Sequence, residues 1–150
     1  MNLCQIFSHW NEVRAGLLLT IDKFSDEDLA YVPFNGSWSV GQIMLHIADA
    51  EDGWFRYAVT RELDQWPDQY NLMNYPAKAA IKSALAAAHE RTQRYLESLD
   101  DASTGQDVVT PWGERIPLMW IVWHVVEHEI HHRGELSFIL GLLGREGLDV

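Results

Sequence analysis

Apolar side chains recur at helical spacing in four long stretches of this 150-residue chain, with polar and turn-forming residues between them. The first runs from Leu3 to Phe24 through Ile6, Phe7, Trp10, Val13, Leu17, Leu18 and Ile21, and predicts one helix. Ser25 with Glu27, Asp28 and Leu29 predicts a short helical turn, and Pro33, Asn35 and Gly36 break the chain after it. Ser39 suits the cap of a second helix, whose inner face carries Ile43, His46, Ile47, Ala50, Trp54 and Tyr57 and which should end near Leu63. Asp64 to Tyr75 is a connection of about a dozen residues, longer than is usual between bundle helices and long enough for a crossover. Pro76 opens a third helix, Ala77 to Leu99, with Ile81, Leu85, Ala88, Thr92, Tyr95, Leu96 and Leu99 facing in. Val108 to Ile116 reads as a small hairpin turning at Trp112-Gly113. The fourth helix spans Pro117 to Gly144, with proline suited to the first turn and glycine to the position past the end.

The pattern predicts an all-α fold, a four-helix bundle with a long crossover connection and a hairpin-like loop before the last helix, in a single domain over 1–150. A chain of this length removes roughly two-thirds of its unfolded surface from water. On the fourth helix, His124, His131, His132 and Glu135 fall within roughly 60° of His128 at about 100° per residue. That face also carries Ile121, Val125, Leu136, Ile139, Leu142 and Leu143, so the imidazoles are expected to point into a hydrophobic interior. The opposite side is apolar too, with Met119, Val122, Trp123, Val126 and Ile130, and is predicted to pack against the hairpin loop or a second subunit.

The net charge of −11 and pI near 4.9 argue against a nucleic-acid partner, which would need clustered Lys and Arg. Cys4 is alone, so neither an internal disulfide nor a cysteine-based zinc site is available. No positively charged leader and no apolar run of about 20 residues are present, which points to a cytoplasmic protein without a membrane segment. Of the seven tryptophans, some are expected to line a pocket or a subunit contact.

The histidines change the picture from fold to chemistry. His128 and His132 stand four apart, so their Cβ atoms lie about 6 Å from one another on one helix face and both rings can reach one ion. His46, on the inner face of another helix, is the candidate third ligand, and three neutral imidazoles suit Zn, Ni, Fe or Co. His124 and His131 are expected as pocket groups around the site, and His9 and His89 as structural or exposed residues. Asp49 or Glu51 could orient a ligand ring from behind, and the two remain open alternatives.

Residues 128–132 also match H-E-x-x-H, the zinc-hydrolase motif in which the glutamate is the base. No multi-strand sheet is readable to hold an extended substrate, and Glu129 lies about 100° from His128, which suits an interhelical or solvated carboxylate. Glu129 and His132 form Glu-x-x-His as well, but a two-iron site wants a second copy, and none is found. Arg133 is expected to point outward and Gly134 to permit close helix contact.

Three segments carry a family resemblance: Trp38-Ser39-Val40-Gly41-Gln42-Ile43-Met44-Leu45-His46-Ile47-Ala48, Pro111-Trp112-Gly113, and His128-Glu129-Ile130-His131-His132-Arg133-Gly134-Glu135-Leu136. The chain resembles the DinB-like superfamily through nearly its whole length. The resemblance implies a four-helix bundle, frequent homodimers and a divalent metal held at positions that correspond here to His46, His128 and His132. Some members transfer low-molecular-weight thiols such as bacillithiol or mycothiol onto electrophiles, or use one in isomerisation. The resemblance therefore implies a metal-dependent thiol S-transferase acting on small electrophiles, with the thiol as cosubstrate. A non-enzymatic metal-binding or interaction module, or an H-E-x-x-H zinc hydrolase, are the alternatives. Trp38, Trp54, Tyr57 and Trp112 are candidates for the pocket mouth.

Overall fold

In the computed structural model, which describes residues 1–147, several helices start where a polar side chain takes up one of their first free N–H donors. Asn2 and Gln5 form a capping box that opens α1, Leu3–Ile6. The predicted first helix is broken at Phe7–His9, where Trp10 N donates to Phe7 O and Asn11 N to Ser8 O in tight three-residue turns, and α2 then runs Trp10–Asp22. Ser8 and His9 are weak helix formers, which makes this the place to break. A single turn follows at Glu27–Ala30. Ser39 and Gln42 form a second capping box at the head of α3, Val40–Asp52.

The second helix ends earlier than its sequence predicts. After Asp52 it widens into a π-helical segment, Gly53–Val59, closed by Thr60 N donating to Phe55 O, and Arg61 turns away with φ of 60°. Gly53 is required by packing: a Cβ there would lie 2.3 Å from Cε2 of Trp66. Helix α4, Lys78–Glu97, has no cap of its own; Asp26, from the turn before α3, accepts from Lys78 N at 2.8 Å. A turn at Asp101–Gly105 leads into β1, Asp107–Val109, which pairs antiparallel with β2, Arg115–Pro117, Val108 opposite Ile116. Pro117 is thus the cap position of α5, Leu118–Leu142, and not its first turn, while Gly144 terminates it with φ of +74° as expected.

The four long helices form a bundle in which α2 packs on α5 and α4, and α3 packs on α4 and α5. The long connection 60–77 therefore joins two neighbours, α3 and α4. The segments that cross the bundle are 23–39, between α2 and α3, and 98–117, between α4 and α5. Residues 64–75 lie along α3 as a strap: Trp66 Nε1 donates to Asp49 at 3.0 Å and Tyr70 Oη to Asp52 at 2.9 Å.

The core is divided into two apolar clusters. One contains Leu17, Ile21, Phe24, Ile43, Met44, Ile81, Leu85, Leu136, Ile139 and Leu140. The other contains Leu3, Trp10, Val13, Phe55, Leu96, Leu118, Ile121, Val122, Val125 and Val126. A fully buried aliphatic or aromatic side chain of this kind contributes about 1.5–3 kcal/mol. Val122 and Val126 thus face the chain's own core, in the cluster that also takes Val108 of the hairpin, while Trp123 and Ile130 remain exposed. Gly134 makes no close helix contact, since nothing lies within 4 Å of where its Cβ would be. Among the described residues no helix is long and apolar enough to cross a membrane.

Candidate metal centre

Every long helix contributes one polar side chain to a layer between the two apolar clusters: Arg14 from α2, Glu51 from α3, His89 from α4 and Glu129 from α5. Arg14 Nε donates to Glu129 Oε1 at 2.7 Å, and Nη2 donates to Glu129 Oε2 at 2.8 Å and to Glu51 Oε2 at 2.6 Å. Its Nη1 donates to the Leu85 carbonyl at 2.7 Å, and Trp10 Nε1 donates to Glu129 Oε2 at 2.7 Å. His89 faces Glu51 Oε1 at 3.0 Å and Asn11 Oδ1 at 3.1 Å. Burial alone would raise the Glu51 carboxyl, but the Arg14 charge and the His89 hydrogen bond hold it below the usual carboxylate range. Burial likewise works against the Arg14 guanidinium, and the two carboxylates more than offset it. Among the described residues no buried side-chain nitrogen or oxygen lacks a hydrogen-bond partner.

This layer decides the role of Glu129. The side chain is 1 % exposed and both oxygens are bonded to core donors, so it faces away from the neighbouring histidines and is not placed to act as a base. Of the H-E-x-x-H match, only the two histidines remain available to an ion. Glu51 pairs with Arg14 and His89, not with His46, which leaves Asp49 as the carboxylate beside that ring.

The histidines line the seam between α3 and α5, at the flank of the bundle and not in its interior as the wheel suggests. The core stripe of α5 passes through Val125, Val126 and Glu129, one position round from His128. His46 and His128 are half-buried and His132 is buried. One ring nitrogen from each of the three lies within 4.8 Å of the others. His128 Nε2 stands 3.0 Å from His46 Nε2. Two nitrogens each about 2.05 Å from a tetrahedral ion would be about 3.3 Å apart, so the rings already stand close to the spacing an ion requires. Burial first, then the neighbouring imidazoles His132 and His46, push the His128 ring down to about 3. Burial also lowers His132, against the opposing hydrogen bond that its Nδ1–H donates to Glu135. Both rings are therefore neutral near pH 7, with a lone pair free for a cation.

Carboxylates stand behind two of these rings. Glu135 Oε2 is 2.7 Å from His132 Nδ1, and Asp49 Oδ2 is 3.6 Å from His46 Nδ1. A carboxylate on the far nitrogen fixes a ring's tautomer and orientation and raises its basicity as a ligand. His131, His132 and Glu135 also lie within 4.8 Å of one another, so His132 is shared between two groupings.

The remaining candidates separate into different surroundings. His131 is exposed beside His132, and His124 stacks on Trp120 with centroids 4.8 Å apart and planes 7° from parallel. His9 is exposed next to Glu12. Of the expected pocket aromatics, Trp38 packs edge-on to His46 at 4.5 Å. Trp54, Tyr57 and Trp112 instead form a cluster on the π-helical segment with Trp66 and Trp120, one residue set away from the trio through His124. A cavity of about 220 Å³ beside His46 is lined by Trp38, Gln42, Asp49, Tyr70, Asn71 and Leu72, and a second of about 280 Å³ by Phe34, Ser37, Trp38, His131, His132 and Glu135. Tyr70, Asn71 and Leu72 were not singled out by the sequence; the one signal for them is a connection too long to be only a connection. Arg14 was missed too, although it lies on the same helix face as Trp10 and Leu17.

Solved structures share this architecture. A DinB-like protein from Bacillus cereus has 16 % sequence identity and a TM-score of 0.76, with 96 % of this chain and 94 % of that one covered. YfiT from Bacillus subtilis, described as a probable metal-dependent hydrolase with an unusual four-helix bundle topology, has 23 % identity and a TM-score of 0.66, covering 93 % and 87 %. A mycothiol-dependent maleylpyruvate isomerase has 14 % identity and a TM-score of 0.63; 88 % of this chain matches 60 % of that longer one. At such identities these likenesses show the fold. No curated protein matches by sequence. The DinB family profile, however, matches residues 1–150 from end to end, and the chain belongs to the DinB family.

Proposed function

We propose that this protein binds one divalent metal ion through His46, His128 and His132 and uses it to transfer a low-molecular-weight thiol onto a small electrophile. The observation that carries the proposal is the meeting of three imidazoles from two helices, two of them backed by carboxylates, beside a small cavity. Glu135 occupies Nδ1 of His132, which leaves Nε2 for the ion. With three protein ligands, a bound Zn, Ni, Fe or Co ion keeps a position open and supplies Lewis acidity, which lowers the proton affinity of a thiol or water. Glu135 holds the His132 ring by a hydrogen bond, Asp49 lies 3.6 Å from the His46 ring, and Trp38 packs edge-on against that ring. The 220 Å³ cavity lies below the roughly 300–1,000 Å³ typical of drug-sized ligands, which fits a small molecule. In transfer, the thiol sulfur bonds to the electrophilic carbon, the leaving group departs with its electron pair, and the thiol proton passes to solvent.

The name given to the mycothiol-dependent neighbour supports the thiol, and the name given to the Bacillus subtilis neighbour supports hydrolysis as the second reading. In a hydrolase of this geometry the base would be Asp49 or Glu135, since Glu129 is enclosed in the core. Metal-loaded and metal-free protein, assayed with several thiols and a halogenated dinitrobenzene, separate the readings. Metal-dependent thioether formation supports transfer; metal-dependent loss of an ester substrate without thiol supports hydrolysis; binding without turnover supports a non-enzymatic module. A homodimer belongs to the same proposal, because Trp123 at 51 % and Phe138 at 69 % exposure share the outer side of α5 with Ile130, and Leu142, expected on the histidine face, is exposed as well. Sedimentation that finds only monomer would remove it.

A further inference from the structure

Among the described residues, the two cavities that flank the histidine trio carry negative charge, from Asp49 and Glu135, and no lysine or arginine. The nearby arginines are committed elsewhere: Arg133, next to His132 in the chain, turns toward α2, where its Nη1 lies 3.5 Å from the Val13 carbonyl beside a separate cavity with His9 and Glu12; Arg56 and Arg91 both donate to Asp52, and Arg115 lines a further cavity with Trp120. Neutral donors are scarce as well. Tyr70 Oη already donates to Asp52, the Ser37 hydroxyl to the Trp38 carbonyl and the Asn71 amide to the Asp68 carbonyl, which leaves the Gln42 amide nitrogen, the Trp38 indole N–H and the His131 ring. Aromatic surface is plentiful, from Trp38, Tyr70 and Phe34.

From this we infer that the small molecule taken by the site is neutral or bears an ammonium group, and that carboxylate-bearing molecules are selected against. The inference rests on the metal-centre reading above and adds the charge class of the ligand. A divalent cation among three neutral imidazoles is balanced by the Asp49 and Glu135 carboxylates. A bound thiolate then leaves one negative charge in excess. A carboxylate elsewhere on the same molecule adds a second with no Arg or Lys to pair it, whereas an ammonium restores neutrality and can lie on the Trp38 or Tyr70 face. Acidic walls of this kind act against a wrong partner by repulsion as much as they attract the right one.

The test is calorimetric titration of protein saturated with zinc by three thiols of similar size: cysteamine, 2-mercaptoethanol and 3-mercaptopropionate. Each affinity is referenced to the same thiol binding a protein-free tris-imidazole zinc complex, which removes the intrinsic difference in sulfur basicity. Cysteamine should bind best and 3-mercaptopropionate worst, by about tenfold or more across the pair. The gap should narrow with added salt in the unaltered protein and shrink in Asp49→Asn and Glu135→Gln, with zinc content confirmed by elemental analysis. Equal or tighter binding of 3-mercaptopropionate, or a gap untouched by salt and by both substitutions, overturns the charge inference alone. If none of the three binds a protein that holds its zinc, the thiol reading falls and the inference with it.

Discussion

Arg14 on α2 grips Glu129 on α5 through two hydrogen bonds of 2.7 and 2.8 Å, and Glu129 sits in sequence directly between the site's two α5 histidines, His128 and His132. The pair is consistent with the rotation that the apolar stripe of α5 also takes. With the carboxylate drawn into the core, the rings on either side fall along the α3 seam, where His46 meets them. The core's polar layer and the candidate metal centre are thus two faces of one helix turn.

Removing Arg14 should be far costlier than its single position suggests. Arg14→Met leaves Glu51 and Glu129 buried without their shared cation, and breaking such a pair costs about 3–5 kcal/mol. Chemical denaturation of the metal-free protein measures it. Glu129→Gln should be milder, keeping one acceptor for Trp10 or Arg14, and should weaken metal binding by disturbing the turn.

Stability should fall in acid through two identified carboxyls. Glu51 is held below its ordinary 4.5, and Asp28 is lowered from 3.8 to about 2, chiefly by the hydrogen bond from Arg145. Both pKa values are lower in the folded chain than in the unfolded one, so the unfolded state binds protons first as pH drops. Their contribution is complete above about pH 4.5 and drains away below it, through pH 2 for Asp28. Thermal melts of metal-free protein should show this slope, and Asp28→Asn should flatten its lower part.

The carboxylate behind His132 should matter to the ion more than to the fold. Glu135→Gln is expected to weaken metal affinity about 10- to 100-fold while the circular dichroism spectrum stays the same. A competition titration against a chelator reads the affinity directly.

Gly53→Ala places a methyl group 2.3 Å from the Trp66 ring. The ring must move, releasing its bond to Asp49 and loosening the 64–75 strap, at about 1–3 kcal/mol. A red shift in tryptophan emission together with a lower melting temperature would register it.

The helical periodicity was enough to read the bundle, the hairpin and the stop at Gly144, because apolar spacing and capping residues act locally. His46, His128 and His132 were legible for a related reason: an i, i+4 pair needs only helix geometry, and the third ring needs only a facing helix. What pattern could not show was rotation. Taking the histidines as the inward face of α5 ignored Glu129, whose burial depends on Arg14, 115 positions away. The π-helical widening after Asp52 depends in the same way on a distant Trp66 filling the space above Gly53. The cavity walls at Tyr70 to Leu72 come from a segment with no periodicity at all.

The central claim is that rings from α3 and α5 together hold one ion. The most direct measurement is zinc stoichiometry by calorimetry on the purified protein and on single alanine variants. The account predicts one zinc per chain, abolished by His46→Ala, His128→Ala or His132→Ala and retained by His124→Ala and His131→Ala. Full binding in His46→Ala, with loss instead in His131→Ala, would place the ion on the outer His131, His132 and Glu135 grouping and contradict it.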